Sequence, residues 1–335
     1  MDIGYSLSAN RREQTMKNQK RIRFAAILAA VLTAVVLTAS AVSDSTLGTI
    51  YDAGRQLLFN TSNVTLSGTA EFSLDGARFK TVNAKYVQDG VNSAWDYKLL
   101  TPRADGTGDR ESGYTVYANS MSVYTVDRFY PGTYRVGFMD EQNTLVQRSA
   151  LMDQTVELAG TAIKYLEPLL PEGAVQVIAE NHTGSTVRVM LDKGSISDLV
   201  DAAFNLCAQM AVRRAIEPVD FDQEPTTYID FDDYITPAKA IIGCTERYQL
   251  NSLDVTATLD GNGQLRALSG AMSVALELDP DFDIAADAQP HVIDVTFDVK
   301  ASDYGQSKLE LFDPEAAGLK PQWTLFENEE WEVGE

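Results

Sequence analysis

Two histidines, His182 and His291, and two cysteines, Cys207 and Cys244, are the only imidazoles and thiols in a chain of 335 residues. A zinc site takes three or four ligands, and no pair among these four has ligand spacing. No G-x-S-x-G nucleophile elbow occurs, and a Ser-His-Asp set would depend on one of two histidines about a hundred residues apart. Asp279, Asp281, Asp283 and Asp287, in DPDFDIAAD, approach a calcium loop in carboxylate density. That loop needs Gly at its sixth position and Glu at its twelfth, and Pro290 stands at the twelfth. A solvated acidic loop is the better reading, and Asp230, Asp232 and Asp233 read the same way. Nothing selects a carboxylate pair with glycosidase spacing. The residue types therefore call for no enzyme, no metal and no cofactor.

Aromatic residues are the remaining chemical signal. Trp95, Tyr97, Tyr114, Tyr117, Tyr124, Phe129, Tyr130 and Tyr134 crowd one stretch of the chain. Core filling accounts for most of them. If the sheet that carries them has a concave side, Phe72, Trp95, Tyr97, Tyr117, Met121, Tyr124 and Phe204 become the walls of an apolar ligand cavity.

The elements that position these residues follow from periodicity. Val64, Leu66, Gly68, Ala70, Phe72 and Leu74 alternate with polar neighbours, which is the period of a strand with one wet face. Asp75-Gly76 supplies a hairpin turn. Strands are expected at 79–88, 93–101, 114–119 and 121–127, with Asp89-Gly90 and Asn119-Ser120 as turns. Helical spacing runs through 144–170 and ends at Pro168 and Pro171. A strand pair at 175–180 and 186–191 precedes a second helix. Its expected capping box is Ser195 with Asp198, and its stripe is Ile196, Leu199, Val200, Ala203, Phe204, Cys207, Met210 and Ala211. Cys207 there reads as a buried thiol, and a bridge to Cys244 stays open. Residues 217–237 are proline-rich and acidic, a surface excursion. Strands return at 253–260, 265–278 and 292–302. Sheet, helices and sheet again, each strong strand wet on one side, predict an α+β fold rather than a doubly wound parallel sheet.

Charge divides the chain. The whole carries a net −21, yet residues 1–23 hold Arg11, Arg12, Lys17, Lys20, Arg21 and Arg23 against Asp2 and Glu13. Phe24 to Val42 contains no charge over 19 residues, enough to span a bilayer as a helix. The flanking cations place the N-terminus in the cytoplasm and the main domain outside. Ala39-Ser40-Ala41 keeps open the alternative of a signal cleaved after Ala41, with a secreted domain. The strongly acidic remainder repels nucleic-acid phosphates, so no nucleic-acid partner is expected. The expected organisation is a basic segment 1–23, a transmembrane helix 24–42, a linker with a helical turn 43–62, a domain 63–314 and an acidic tail 315–335.

Two stretches of text bring a resemblance. They are NVTLSGTAEFSLDGARFKTVNAKYVQDGVNSAWDYKLL (63–100), and LDVTATLDGNGQLRALSG with HVIDVTFDVKASDYGQSKLELFDP near the C-terminus. Together they resemble extracytoplasmic proteins of Gram-positive gut bacteria with the half-barrel of the LolA/LolB/LppX lipoprotein-carrier superfamily. The resemblance covers 63–314. It implies a curved antiparallel sheet (half-barrel) wrapped around amphipathic helices, preceded here by the transmembrane helix. It also implies non-enzymatic binding of a lipid or other amphipathic small molecule on the concave face. The alternative is a structural or sensory protein-interaction domain with a packed, ligand-free interior; no particular protein partner follows from either. The spanning helix and the more helical middle section depart from the superfamily, and a tethered carrier does not cross an envelope.

Overall fold

Alternating apolar and polar residues build a 12-stranded sheet in the computed structural model, which describes residues 46–103, 105–120, 122–128, 132–138, 170–216, 241–242, 244–278 and 290–321. The strands are β1 (Asn63–Leu74), β2 (Ala77–Asp89), β3 (Asn92–Pro102), β4 (Asp109–Ala118), β5 (Ser122–Asp127), β6 (Thr133–Phe138), β7 (Val175–Asn181), β8 (Gly184–Asp192), β9 (Thr245–Asp260), β10 (Leu265–Leu278), β11 (His291–Ser302) and β12 (Lys320–Pro321). Two helices accompany them among the described residues, α1 (Thr46–Phe59) and α2 (Asp198–Ile216). The spatial order β12-β6-β5-β4-β3-β2-β1-β11-β10-β9-β8-β7 joins two meanders, β1 to β6 and β7 to β11, along an antiparallel β1–β11 seam. Only the short β12, on β6, is parallel. A large, curved, antiparallel sheet with few helices results.

The register explains the alternation. Along the seam Leu66 faces Ala301 and Ala70 faces Phe297; on the other side Leu66 faces Tyr86 and Ala70 faces Val82. One face of the sheet is thus apolar from β2 to β9, and the core cluster lies on it. Asp75 and Gly76 both have positive φ (51° and 79°), the backbone of a two-residue hairpin whose twist matches its strands. The Asp75 carboxylate then reaches across the seam to accept from Val292 N at 2.8 Å and contact His291 Nδ1 at 2.7 Å.

That contact sets a pH dependence. Partial burial pulls the Asp75 carboxyl upward, but the His291 and Val292 hydrogen bonds outweigh it and leave it below the ordinary carboxylate range. A depressed carboxylate stabilises the folded state above its unfolded pKa of about 4, and the contribution is lost as pH falls through the folded value. Melting of the wild type and Asp75→Asn should therefore differ at pH 6 and converge below about pH 3. A gap that persists undiminished at pH 2 would contradict the assignment.

The structure revises four elements. Residues 43–62, expected as linker and one helical turn, contain the 14-residue α1. Its Leu47, Ile50 and Leu57 are 0–2% exposed and anchor the core cluster against β7, β9 and β10. Its start is uncharged and Gly48 and Gly54 interrupt it, so periodicity over so short a stretch understated it. The last strand, β12, lies within 315–321, expected as acidic tail. Strand β6 fell in a stretch the alternation did not mark.

Helix α2 departs most. Its cap is Ser197, whose Oγ accepts from Val200 N at 3.4 Å, whereas the Ser195 hydroxyl serves the preceding turn by donating to Asp192 O at 2.9 Å. Leu199, expected on the buried stripe, is 56% exposed, and Asp201 is buried in its place. The reason is that β8 ends at Asp192, opposite Ser252, so among the described residues β9 runs on from there without a strand on that side. Three α2 side chains spaced by four residues replace the missing strand. Asp201 accepts from Leu250 N at 3.1 Å, Asn205 accepts from Tyr248 N at 2.9 Å, and Gln209 donates to Glu246 O at 2.8 Å. Arg247 pairs with Asp201 at 2.9 Å. Asp201→Ala leaves the buried Leu250 N–H without its acceptor and should cost about 2–3 kcal/mol in urea unfolding. Asp201→Asn, which keeps an acceptor, should cost less than half as much.

The spanning segment 24–42, residues 144–169 of the helical stretch expected at 144–170, the excursion 217–237 and the acidic loop 279–289 lie outside the described residues. Among the described residues no helix is long and apolar enough to cross a membrane.

Candidate functional site

Pairing parity sorts the expected cavity residues. Tyr86, Trp95 and Val116 stand opposite one another on β2, β3 and β4, as do Ala84, Tyr97 and Tyr114 one pair further along. All six point to the apolar face, with Phe72 and Leu99. Phe72, Trp95, Tyr97 and Leu99 pack against the main core cluster, and Phe204 of α2 is buried within it. The rings touch in sequence. Tyr86 meets Trp95 edge to face with centroids 5.5 Å apart, and Tyr97 meets Tyr114 at 5.3 Å.

Tyr117 and Tyr124 lie on the other side of the sheet. Tyr117 pairs with Ala94, one residue off the Trp95 row, and Tyr124 pairs with Tyr117. A one-residue change of parity reverses the face, which clustering by sequence position alone ignores. Both rings are taken by the segment after β11. Phe312 stacks on Tyr117 at 4.0 Å and 4°, and meets Tyr124 at 5.7 Å. The same segment is pinned by Asn63 Nδ2 donating to Ser307 O at 2.9 Å and by Leu309 N donating to Asp89 at 3.1 Å. These tyrosines lie under that segment on the face opposite Trp95, Tyr97 and Phe72, so the seven residues do not share one face; Met121 lies outside the described residues.

The apolar face is covered unevenly. On β9 the inward side chains Tyr248, Leu250, Leu253, Val255, Ala257 and Leu259 are all buried. Strand β3, although paired on both sides by β2 and β4, has all eleven residues only half-buried. Trp95, Tyr97 and Leu99 thus stay partly buried, while Tyr86 and Val116, which flank Trp95, and Ala84 and Val82, which flank Tyr97 and Leu99 on β2, are buried. Tyr86 and Leu99 were not singled out from the sequence, though the alternation Val82, Ala84, Tyr86 carries the signal for the former. Gln88 is buried beside them and accepts from the Tyr86 hydroxyl. Ionisable chemistry is sparse here. The Tyr117 hydroxyl is pushed up by burial and by Asp96, on the outer face. His182 lies in the β7–β8 turn and His291 at the seam, so the two imidazoles do not meet. Cys244 is a free thiol.

Compared with solved structures, the chain is similar to a LolA superfamily protein from Nitrosomonas europaea, at 9% identity over 78% of this chain and 93% of that one, with a TM-score of 0.19. It is also similar to a DUF1329 family protein from Desulfovibrio piger, at 8% identity over 79% and 94%, with a TM-score of 0.18. No protein-family model and no curated protein matches the chain. The architecture accordingly rests on the strand pairing set out above.

Proposed function

We propose that the chain is a membrane-tethered domain outside the cell that holds an apolar or amphipathic ligand, such as a lipid acyl chain, without catalysis. The observation that carries this reading is β3: a strand paired on both sides on which Trp95, Tyr97 and Leu99 pack against the core yet stay only partly buried. Buried area alone favours covering such a surface, at roughly 25 cal/mol per Å² of apolar area, and an acyl chain laid over the rings would do so. The tether rests on the uncharged run 24–42 and its six flanking cations. Purified full-length protein, extracted with organic solvent and analysed by mass spectrometry, should yield a bound lipid species near one per chain. Lipid recovered only at the level of a control membrane protein with the same spanning helix would end this reading.

A second reading has its own support. Leu47, Ile50 and Leu57 of α1 are buried against the β9–β10 part of the apolar face, although Val177 at the β7 edge stays exposed. If the aromatic half is filled as well, the domain presents surfaces to a protein partner and holds no ligand. A partner captured through the acidic surface would be released by salt, since exposed charges are screened beyond about 8 Å at physiological ionic strength.

A further inference from the structure

The outer face of the β11–β1–β2–β3 segment is polar and lies opposite the face on which the ligand reading rests. A cleft of about 340 Å³ opens there. Its floor is β1, where Ser67 and Thr69 are short, and its walls are the longer side chains of the neighbouring strands. One cross-strand row reads Lys300, Ser67, Lys85, Asp96 from β11 to β3. The next row reads Asp298, Thr69, Asn83, Lys98.

The charges in this cleft are not equivalent. Lys98 is tied to Glu111 at 2.5 Å, and Asp96 to Arg128 at 2.6 Å. Lys300 has only a long contact to Asp298, 3.6 Å, and is 68% exposed. Lys85 makes no ion pair among the described residues. The two available ammonium groups therefore flank Ser67, on strands either side of it and roughly 10 Å apart at the backbone. Their flexible four-carbon stems let both converge on one anionic group seated over the Ser67 hydroxyl. Beside that point Asp298 and the Asn83 amide, already accepting from Thr69 Oγ1 at 2.9 Å, offer donors and acceptors suited to hydroxyl groups. A chain of net charge −21 disfavours polyanions, which favours a ligand of low overall charge at this cleft.

We infer that this cleft binds a hydroxyl-rich ligand with a single carboxylate, the chemistry of an acidic sugar. The carboxylate sits between Lys85 and Lys300, and the ring hydroxyls lie along Thr69, Asn83 and Asp298. The test uses the full chain in lipid nanodiscs and saturation-transfer NMR with cellobiouronic acid. Cellobiose, which differs by one carboxylate, and inorganic phosphate are the comparison ligands. Dissociation constants below about 1 mM for the acid, and at least tenfold weaker for cellobiose and for phosphate, are expected. The Lys85→Ser, Lys300→Ser double variant, altered only at exposed positions, should bind the acid at least tenfold more weakly and lose its preference over cellobiose. Three results would each overturn the inference: no saturable binding of the acid below 10 mM, equal binding by the variant, or phosphate binding as tight as the acid. The last would make the cleft a bare anion-attracting patch. Loss of lipid from the apolar face would leave all three readouts unchanged, so the two readings fail separately.

Discussion

Leu57→Ala should destabilise the domain by about 2–5 kcal/mol, the range for emptying a buried leucine site, and lower the urea midpoint without changing the slope. Leu57 is 2% exposed on α1, in a cluster with Leu47 and Ile50. The helix lies against β7, β9 and β10 of the C-terminal meander, strands far from it in sequence. Such contacts cannot collapse into the vacated volume, because the sheet beneath is held by hydrogen bonds on both sides of β9 and β10. A helix serving merely as a linker would tolerate the change within about 0.5 kcal/mol, as surface positions do.

Gly113→Ala should cost at least about 3 kcal/mol and is expected to disturb the aromatic half of the apolar face as well. Gly113 has φ 137°, in the region L side chains rarely adopt, and a Cβ there would lie 2.1 Å from the Tyr97 carbonyl oxygen and 3.1 Å from Lys98 Cα. These are backbone atoms of the paired strand, so nothing flexible can yield. β3 and β4 must part at the pair that sets Tyr97 against Tyr114. Gly106 offers the contrast. It too has positive φ, 71°, but a Cβ added there would meet no atom within 4 Å, so Gly106→Ala should cost only about 1 kcal/mol. Thermal melting of both variants, with uptake of a fluorescent fatty acid, reads the two effects together; equal losses would mean that the close approach at Gly113 is irrelevant.

How much of the fold was legible depended on the kind of signal. Strands with one wet face announced themselves, because the period of two is enforced by burial: β1, β2, β10 and β11 lie where expected, and β9 does over 253–260 but begins eight residues earlier, at Thr245. What alternation within a strand does not contain is the parity between strands. Trp95 and Tyr97 share a face with Phe72, and Tyr117 does not, only because the β3–β4 register sets Ala94 against Tyr117. Helix α2 misled for a different reason. Its Asp201, Asn205 and Gln209 look like a solvent-facing polar stripe, yet they bond a strand edge whose partner stops short, a tertiary demand that no local pattern encodes. Phe312 gave no sign of covering Tyr117, since a long irregular strap has no period.

An acyl chain laid on the surface around Trp95 would be reported by Trp95 itself. The chain has three tryptophans, and replacing Trp323 and Trp331 by phenylalanine leaves Trp95 as the only indole emitter. With this full-length variant in nanodiscs of unlabelled lipid, a brominated fatty acid added in increasing amount should quench Trp95 emission to a plateau, and an unbrominated fatty acid should reverse it. Emission that falls only linearly with quencher, unaffected by the competitor, would mean that the space over β3 is closed to acyl chains.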